Sequence, residues 1–387
     1  MQLIRLFKSE GYEITFASSS RKTDHMADLE NLDVRTEQIE VNSSEFDRFL
    51  GDLQPSIVLF DRFITEEQFG WRVAKHCPDA IRLLDTEDLH FLRRARRKAV
   101  ADDHAFNNDM LLQEETARRE VASIYRSDLS LIISEAEMEL LTEVFDVDQK
   151  LLLYLPFMLG KIGNQQAKQW PAFKERQHFM TIGNFRHPPN WDAVLQLKHK
   201  IWPAIREVLP SAELHIYGAY TPQKAMRLHK PGEGFLIEGR AASAGEVMRQ
   251  ARICLAPLRF GAGLKGKLIE AMQHGTPSVT TPTGAEGLAG DMDWAGAIAD
   301  TPGEIAEQAA SLYGDRGAWE QAQENGRQII NRRFAQPEFK ARLLDALAQI
   351  REGLQAHRLD NFVGQMLMHH TTASTEFMSR WIEEKNS

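Results

Sequence analysis

The residues best suited to chemistry lie between Arg252 and Leu288, in RICLAPLRFGAGLKGKLIEAMQHGTPSVTTPTGAEGL. Gly261, Gly263 and Gly266 let backbone amides approach a ligand with no Cβ in the way, and a helix that starts here leaves its first N–H groups directed outward. Such a turn is an anion site. Glu270 follows Gly263 by seven residues and Gly266 by four, which puts a carboxylate two turns down one helix face. There it can accept hydrogen bonds from sugar hydroxyls, while Leu264, Leu268 and Met272 form the buried stripe. The competing reading is a turn used only for close packing, with Glu270 paired to Lys267 or His274, because short glycine motifs recur for that reason alone.

The elements that must present this turn are a buried strand, Ile253 to Ala256, and a second strand, Ser278 to Thr281, with another glycine loop behind it. They belong to a regular series. Strand-like runs HFMTIG, AELHIYG, FLIEG, RICLAPL, SVTT and AIAD alternate with helices near 191–208, 223–229, 244–249, 264–274 and 302–313. Six strands with intervening helices make a complete doubly wound parallel sheet, whose ligands sit at the strands' carboxyl ends. An earlier series, EITFAS, SIVLFD, AIRLLD, LSLIIS and LLLYLP, predicts a second sheet of the same kind. That first lobe opens on an amphipathic helix, Gln2 to Glu10 capped by Gly11, where a strand and glycine turn would normally stand. The fold class is therefore α/β, two Rossmann-like doubly wound lobes with the first lacking its initial strand. Expected boundaries are 1–160 for the first lobe, 161–177 for a polar linker, 178–335 for the second lobe, and 336–387 for terminal helices that pack back on the first lobe.

Residues 91–126 are charge-rich and free of glycine and proline, predicting helix with a break near 102–108. The cluster Arg93, Arg94, Arg96, Arg97 and Lys98 reads first as a solvated face paired with nearby acids, and second as a surface for phosphates, an anionic membrane or an acidic partner.

Across all 387 residues, 43% are apolar and 26% charged, the composition of a soluble globular chain. A net charge of −9 argues against a general nucleic-acid binder. Two cysteines, Cys77 and Cys254, imply neither a disulfide framework nor a cysteine metal site, and fit a reducing compartment. No apolar run approaches the roughly eighteen residues that span a bilayer, and the start lacks a signal-peptide pattern. The expected location is cytoplasmic, with peripheral contact at the inner face of the membrane left open.

The stretch PLRFGAGLKGKLIEAMQHGTPSVTTPTGAEGL resembles the donor-binding signature of GT-B-fold glycosyltransferases, above all the large retaining family four of that classification (glycosyl transferases group 1). FMTIGNFRHPPNWDAV is similar to the opening strand and loop of their second lobe, and LLDTEDLHFLRRARR and REVASIYRSDLSLIISEAEMELL to segments of bacterial members' first lobe. The resemblance implies a ribose-holding role for Glu270 and a donor-diphosphate and sugar site at the turn Gly263, Leu264, Lys265 and Gly266. Lys265 or Lys267 supplies the cation for the leaving group; spacing does not choose between them. Asn184 and Arg186 fall in the loop that faces the diphosphate, Gly239 and Arg240 where base or phosphate is contacted. Asn190 reads as a helix cap before Trp191. His90, at the end of a first-lobe strand, is the candidate for touching donor sugar or acceptor, with a structural hydrogen-bonding role equally open. Ala262 stands eight positions before Glu270, where the family carries the first glutamate of its pair, so donor-sugar recognition departs from the pattern.

The reaction implied by the resemblance is sugar transfer from a nucleotide-sugar donor to an acceptor hydroxyl of a saccharide, lipid-linked or protein acceptor, with retention. No metal or other cofactor is implied, and Asp85, Glu87 and Asp88 are not read as a metal site. Polysaccharide or glycoconjugate synthesis is the expected setting. The rival account is a non-catalytic nucleotide-sugar-binding or scaffold protein with a degenerate first lobe; a nucleotide-sugar epimerase on the same fold is weaker.

Overall fold

The described residues form twelve short strands, most of them apolar runs bounded by polar turns and every one of them in a parallel pairing. The structure, a computed structural model, describes residues 1–20 and 27–386, without the side chains of 370–373 and 386. The chain forms two units, Met1–Asp88 with Glu115–Met158 and Pro337–Ser387, and Leu89–Glu114 with Leu159–Gln336.

The first unit opens on the helix Gln2–Ser9 and contains β1 (Thr15–Ser18), β2 (Arg35–Gln38), β3 (Ile57–Asp61), β4 (Ile81–Asp85), β5 (Leu129–Ile132) and β6 (Leu152–Tyr154). These make two sheets, β1-β2 and β3-β4-β5-β6, where one continuous sheet would be the doubly wound norm. β2 reads RTEQ, a polar strand at an edge that apolar patterning does not reveal. β5, buried at every position, is the central type of parallel strand, apolar toward both faces. Ile81, Leu83, Leu129 and Leu131 pack against Phe339, Leu343, Leu347 and Ile350 of the helix Glu338–Glu352. Farther along, Arg358 donates to both oxygens of the buried Asp128 at 2.8 and 2.7 Å, and the terminal helix Phe362–Asn386 is tied to the unit by Lys75–Glu376 and Arg72–Ser379 contacts. The terminal segment thus packs on the first unit. The expected break in the charged segment is present: helices cover His90–Ala101, Asp109–Gln113 and Glu115–Arg126.

In the second unit β7 (Gln177–Ile182), β8 (Leu214–Tyr217), β9 (Phe235–Gly239), β10 (Ala251–Ala256), β11 (Ser278–Thr280) and β12 (Gly296–Ile298) form one six-stranded sheet in the order β12-β11-β10-β7-β8-β9. That is the full doubly wound order. Phe179, Leu214, Ile216, Ile253 and Leu255 face Leu197, Ile201, Trp202, Ile205 and Trp319 in its main core. One helix of this unit starts on its sequence signals. Before Pro302–Gly314, Thr301 Oγ1 accepts from Glu304 N–H at 3.2 Å and Glu304 Oε2 from Thr301 N–H at 3.0 Å, a reciprocal cap with proline at the first position. Arg176 is wholly buried, with no acid partner among the described residues. It donates instead to the carbonyls of Pro171, Met248, Ala251 and His274 and to Thr276 Oγ1, and desolvation pulls its pKa down to about 10. Among the described residues no helix is long and apolar enough to cross a membrane.

Candidate functional site

β7 and β10 are neighbours, yet the chain leaves β7 toward β8 and β9 and leaves β10 toward β11 and β12, in the opposite direction. The loops at their carboxyl ends therefore diverge and open a crevice, the place where sheets of this order take ligands. Those loops are 183–187 and 257–265, the two stretches singled out from sequence.

After β10 the chain turns through the glycines. Gly263 has φ +61°, a left-handed conformation that a side chain would strain. The helix begins at Gly266 and runs to Gln273, two residues later than expected, because Lys265 is still extended at φ −84°, ψ 90°. Leu264 is buried before the helix starts, and Leu268 and Met272 are buried within it. The amides of Ala262 and Leu264 make no hydrogen bond among the described residues.

The two lysines of the turn differ. Lys265 is 8% exposed and folds beneath the turn, its ammonium donating to the Gly263 carbonyl at 2.8 Å and lying 4.0 Å from Glu286. Lys267, in the first turn of the helix, donates to Asn190 Oδ1 at 2.8 Å, and burial pulls its pKa down to about 8. Nearby Cys254 is fully buried and its thiol is pushed up to about 12 by desolvation, so it is inert at neutral pH. Glu270 is half-buried and its pKa is raised by burial. Neither Lys267 nor His274 pairs with it, and among the described residues its carboxylate makes no hydrogen bond or ion pair. It is a partly desolvated acceptor without a donor.

On the facing loop, Asn184 Oδ1 accepts from Arg186 N–H at 2.8 Å, a local turn that fixes the backbone. Asn184 and Arg186 are exposed, and the Arg186 guanidinium lies 3.9 Å over the Tyr220 ring, whose residue has φ +56°. Asn190 is not the helix cap that the sequence suggested. Pro188 starts the helix Pro188–Gln196 earlier, His187 takes the cap position, and Asn190, inside the first turn, donates to the Asn184 carbonyl at 3.1 Å while accepting from Lys267. Asn190 thus joins the two loops across the crevice. Gly239 closes β9 with φ +75° and accepts from Gly218 N–H at 2.7 Å; Arg240 comes next, exposed. His90 is half-buried at the first turn of the helix His90–Ala101, in the segment grouped with the second unit.

Sequence reasoning missed two residues. Arg96, on that same helix, donates through Nη1 and Nη2 to the two oxygens of Glu286 at 2.7 and 2.6 Å, and through Nη1 to the Gly261 carbonyl at 3.0 Å. It is therefore not part of a solvated basic face, whereas Arg94, Arg97 and Lys98 are exposed. Glu286 sits in the second glycine loop. Burial opposes its ionisation, but the Arg96 bonds and the charges of Arg96 and Lys265 outweigh burial and hold its pKa below the usual range.

Comparison with known proteins bears on this geometry. Residues 176–315 match the family model described as glycosyl transferases group 1. No curated protein matches the chain. Among solved structures, HepE from Anabaena, in complex with UDP and glucose, superposes with a TM-score of 0.66 at 12% identity, over 90% of this chain and 95% of that one. Sucrose-phosphate synthase from Thermosynechococcus elongatus gives 0.67 at 14% identity, over 90% and 92%. A mutant of TarM from S. aureus, in complex with fondaparinux, alpha-GlcNAc-glycerol and UDP, gives 0.60 at 13% identity; it covers 78% of this chain, which spans 58% of the length of TarM. Likeness at these identities is likeness of fold, and the chain has the α/β, parallel-sheet GT-B fold of these glycosyltransferases.

Proposed function

We propose that the protein is a glycosyltransferase that binds a nucleotide-sugar donor at the carboxyl edge of the β7–β10 crevice. The observation that carries this reading is Glu270, a half-buried carboxylate with no donor of its own among the described residues, about one turn into the helix that follows a glycine turn with open amides. A ribose supplies two adjacent hydroxyls to such an acceptor, and the diphosphate attached to it reaches the turn. Lys267 is the cation for the diphosphate, since Lys265 is engaged beneath the turn; Asn190 holds Lys267 in place, and Arg186, exposed on the facing loop, meets the same charge.

The reaction breaks the bond from the anomeric carbon to the diphosphate oxygen and forms one to an acceptor hydroxyl oxygen, whose proton is released. Negative charge grows on the diphosphate as its bond loosens. Fixed amides, Lys267 and Arg186 stabilise that charge without reorganising. On this reading the enzyme needs no metal, transfers with retention, and acts on a saccharide, lipid-linked or protein acceptor in glycoconjugate or polysaccharide synthesis at the cytoplasmic side of a membrane. Gly239 and Arg240 serve the base or phosphate, and His90 serves the donor sugar or acceptor. The UDP held by HepE and TarM makes UDP-sugars the first donors to try.

The test is a turnover assay with UDP-, GDP- and ADP-sugars, with and without saccharide and lipid-linked acceptors, in EDTA and in added magnesium. Expected is donor consumption with product of retained configuration, undiminished by EDTA. Tight binding of a nucleotide sugar with no transfer to any acceptor supports the scaffold reading instead.

A further inference from the structure

Resting on that donor-site reading, we propose that Arg96 and Glu286 are positioning residues: with Lys265 they hold the carbonyls of the glycine turn inward, so that the amides of Ala262 and Leu264 face the donor diphosphate.

Arg96 Nη1 takes the Gly261 carbonyl at 3.0 Å, and Lys265 Nζ takes the Gly263 carbonyl at 2.8 Å. In a planar trans peptide the C=O and the next N–H point in opposite directions. Holding Gly261 O and Gly263 O against interior cations therefore turns the N–H groups of Ala262 and Leu264 the other way. Those two amides make no hydrogen bond among the described residues, although Leu264 is only 8% exposed. An amide with no partner inside the protein is left for water or a ligand to satisfy.

Glu286 keeps the two cations in one place. Its carboxylate accepts Arg96 with both oxygens and stands 4.0 Å from Lys265 Nζ, so one half-buried acid balances a fork and an ammonium that each grip one carbonyl of the turn. Side-chain exposures of 16%, 25% and 6% for Arg96, Glu286 and Lys265 leave the group little water. Removing Arg96 leaves Glu286 with only the Lys265 ammonium 4.0 Å away, and removing Glu286 leaves two cations in a partly dry place without their acid. A pair that merely stabilised the fold would have no reason to commit one of its donors to the turn itself.

The experiment is calorimetric titration of UDP, with ADP and GDP as alternatives, into wild type, Arg96→Ala, Arg96→Lys, Glu286→Gln and the Ala/Gln double variant, at pH 5 to 7.5 and beside melting curves. Expected for Arg96→Ala and Glu286→Gln is at least tenfold weaker binding near pH 7, and a double variant no weaker than the worse single one, since both break the same assembly. Arg96→Lys, which keeps charge but not the fork, should fall between, and it serves if the alanine variant does not fold. In Arg96→Ala, Glu286 without its guanidinium takes up a proton more readily, so affinity should fall more steeply from pH 7 to 5 than it does in wild type, where the terminal phosphate of UDP, with a pKa of about 6, and Glu270 also take up protons. Affinities within twofold of wild type in Arg96→Ala, or losses that add in the double variant and ignore pH, overturn the proposal and leave the donor site standing. A wild type that binds no nucleoside diphosphate overturns the donor-site reading, and this one with it.

Discussion

The carboxyl ends of the strands carry opposite chemistry in the two units. In the first unit β3 and β4 end side by side on Asp61 and Asp85, whose pKa values are raised chiefly by burial, Asp85 to about 6. Arg62 and Glu87 beside them pair with each other and both have positive φ, 69° and 56°. In the second unit the corresponding ends carry glycines, Lys265, Lys267 and an exposed Arg186. One edge is built to receive negative charge. The other already holds negative charge. On the same scaffold, the residues at the strand ends decide which partner each unit takes, and topology alone does not.

Four measurements would break or sharpen that contrast, beginning with the largest effect. Lys267→Met should lower kcat by about 10²- to 10³-fold, the usual loss for one fixed stabiliser of transition-state charge; the assay is turnover at saturating donor, and an unchanged kcat would move the cation role to Arg186. Glu270→Ala should weaken UDP binding by about 10- to 100-fold, the value of charge-assisted hydrogen bonds of roughly 1.5–3 kcal/mol. Unchanged affinity in that variant refutes the ribose role. Third, Lys267 has its pKa pulled down to about 8 without ligand and a bound diphosphate raises it, so UDP affinity should be level from about pH 7 to 8 and fall above it, by up to about tenfold per pH unit until the bound-state pKa is passed. A level profile from pH 7 to 9 in the wild type, with titration by calorimetry, would separate Lys267 from the phosphate. Smallest is Asp85→Asn. An acid with a raised folded pKa adds stability below its unfolded value near 3.8 and loses it as pH rises through about 6, so at pH 7.5 the ionised Asp85 is a burden. The variant should melt a few degrees higher at pH 7.5, with no gain at pH 4, and bind UDP as wild type does.

Much of the second unit was legible because its signals are local. ICLAPL, after Arg252, is apolar throughout and must be a buried strand; the glycines behind it announce the turn, and Glu270 comes at helical spacing. β2 was hidden because RTEQ has no apolar alternation and is defined only by the neighbour it pairs with. The choice between Lys265 and Lys267 was equally hidden, since two residues of spacing on an irregular turn do not reveal which side chain folds under it. Hardest was the Arg96–Glu286 pair, 190 residues apart in the chain. Within its own neighbourhood each looked ordinary, Arg96 one of five basic residues on a helix and Glu286 an acid in a glycine loop. Ion pairing across such a distance is a product of the fold and leaves no local pattern.

Arg176 gives the donor helix a second end. Its guanidinium bonds the His274 carbonyl, at the terminus of the helix whose opposite end begins at Gly266, roughly 12 Å away for eight residues at 1.5 Å each. A cation there neutralises the negative pole of the helix and leaves the positive pole uncompensated. Because no acid among the described residues accompanies Arg176, its field also reaches forward through the interior, where little water screens it. On the donor-site reading proposed above, the unit stores part of its attraction for an anion in a residue that the ligand does not touch, and that share of the affinity should persist in high salt, which screens only the charges it can surround.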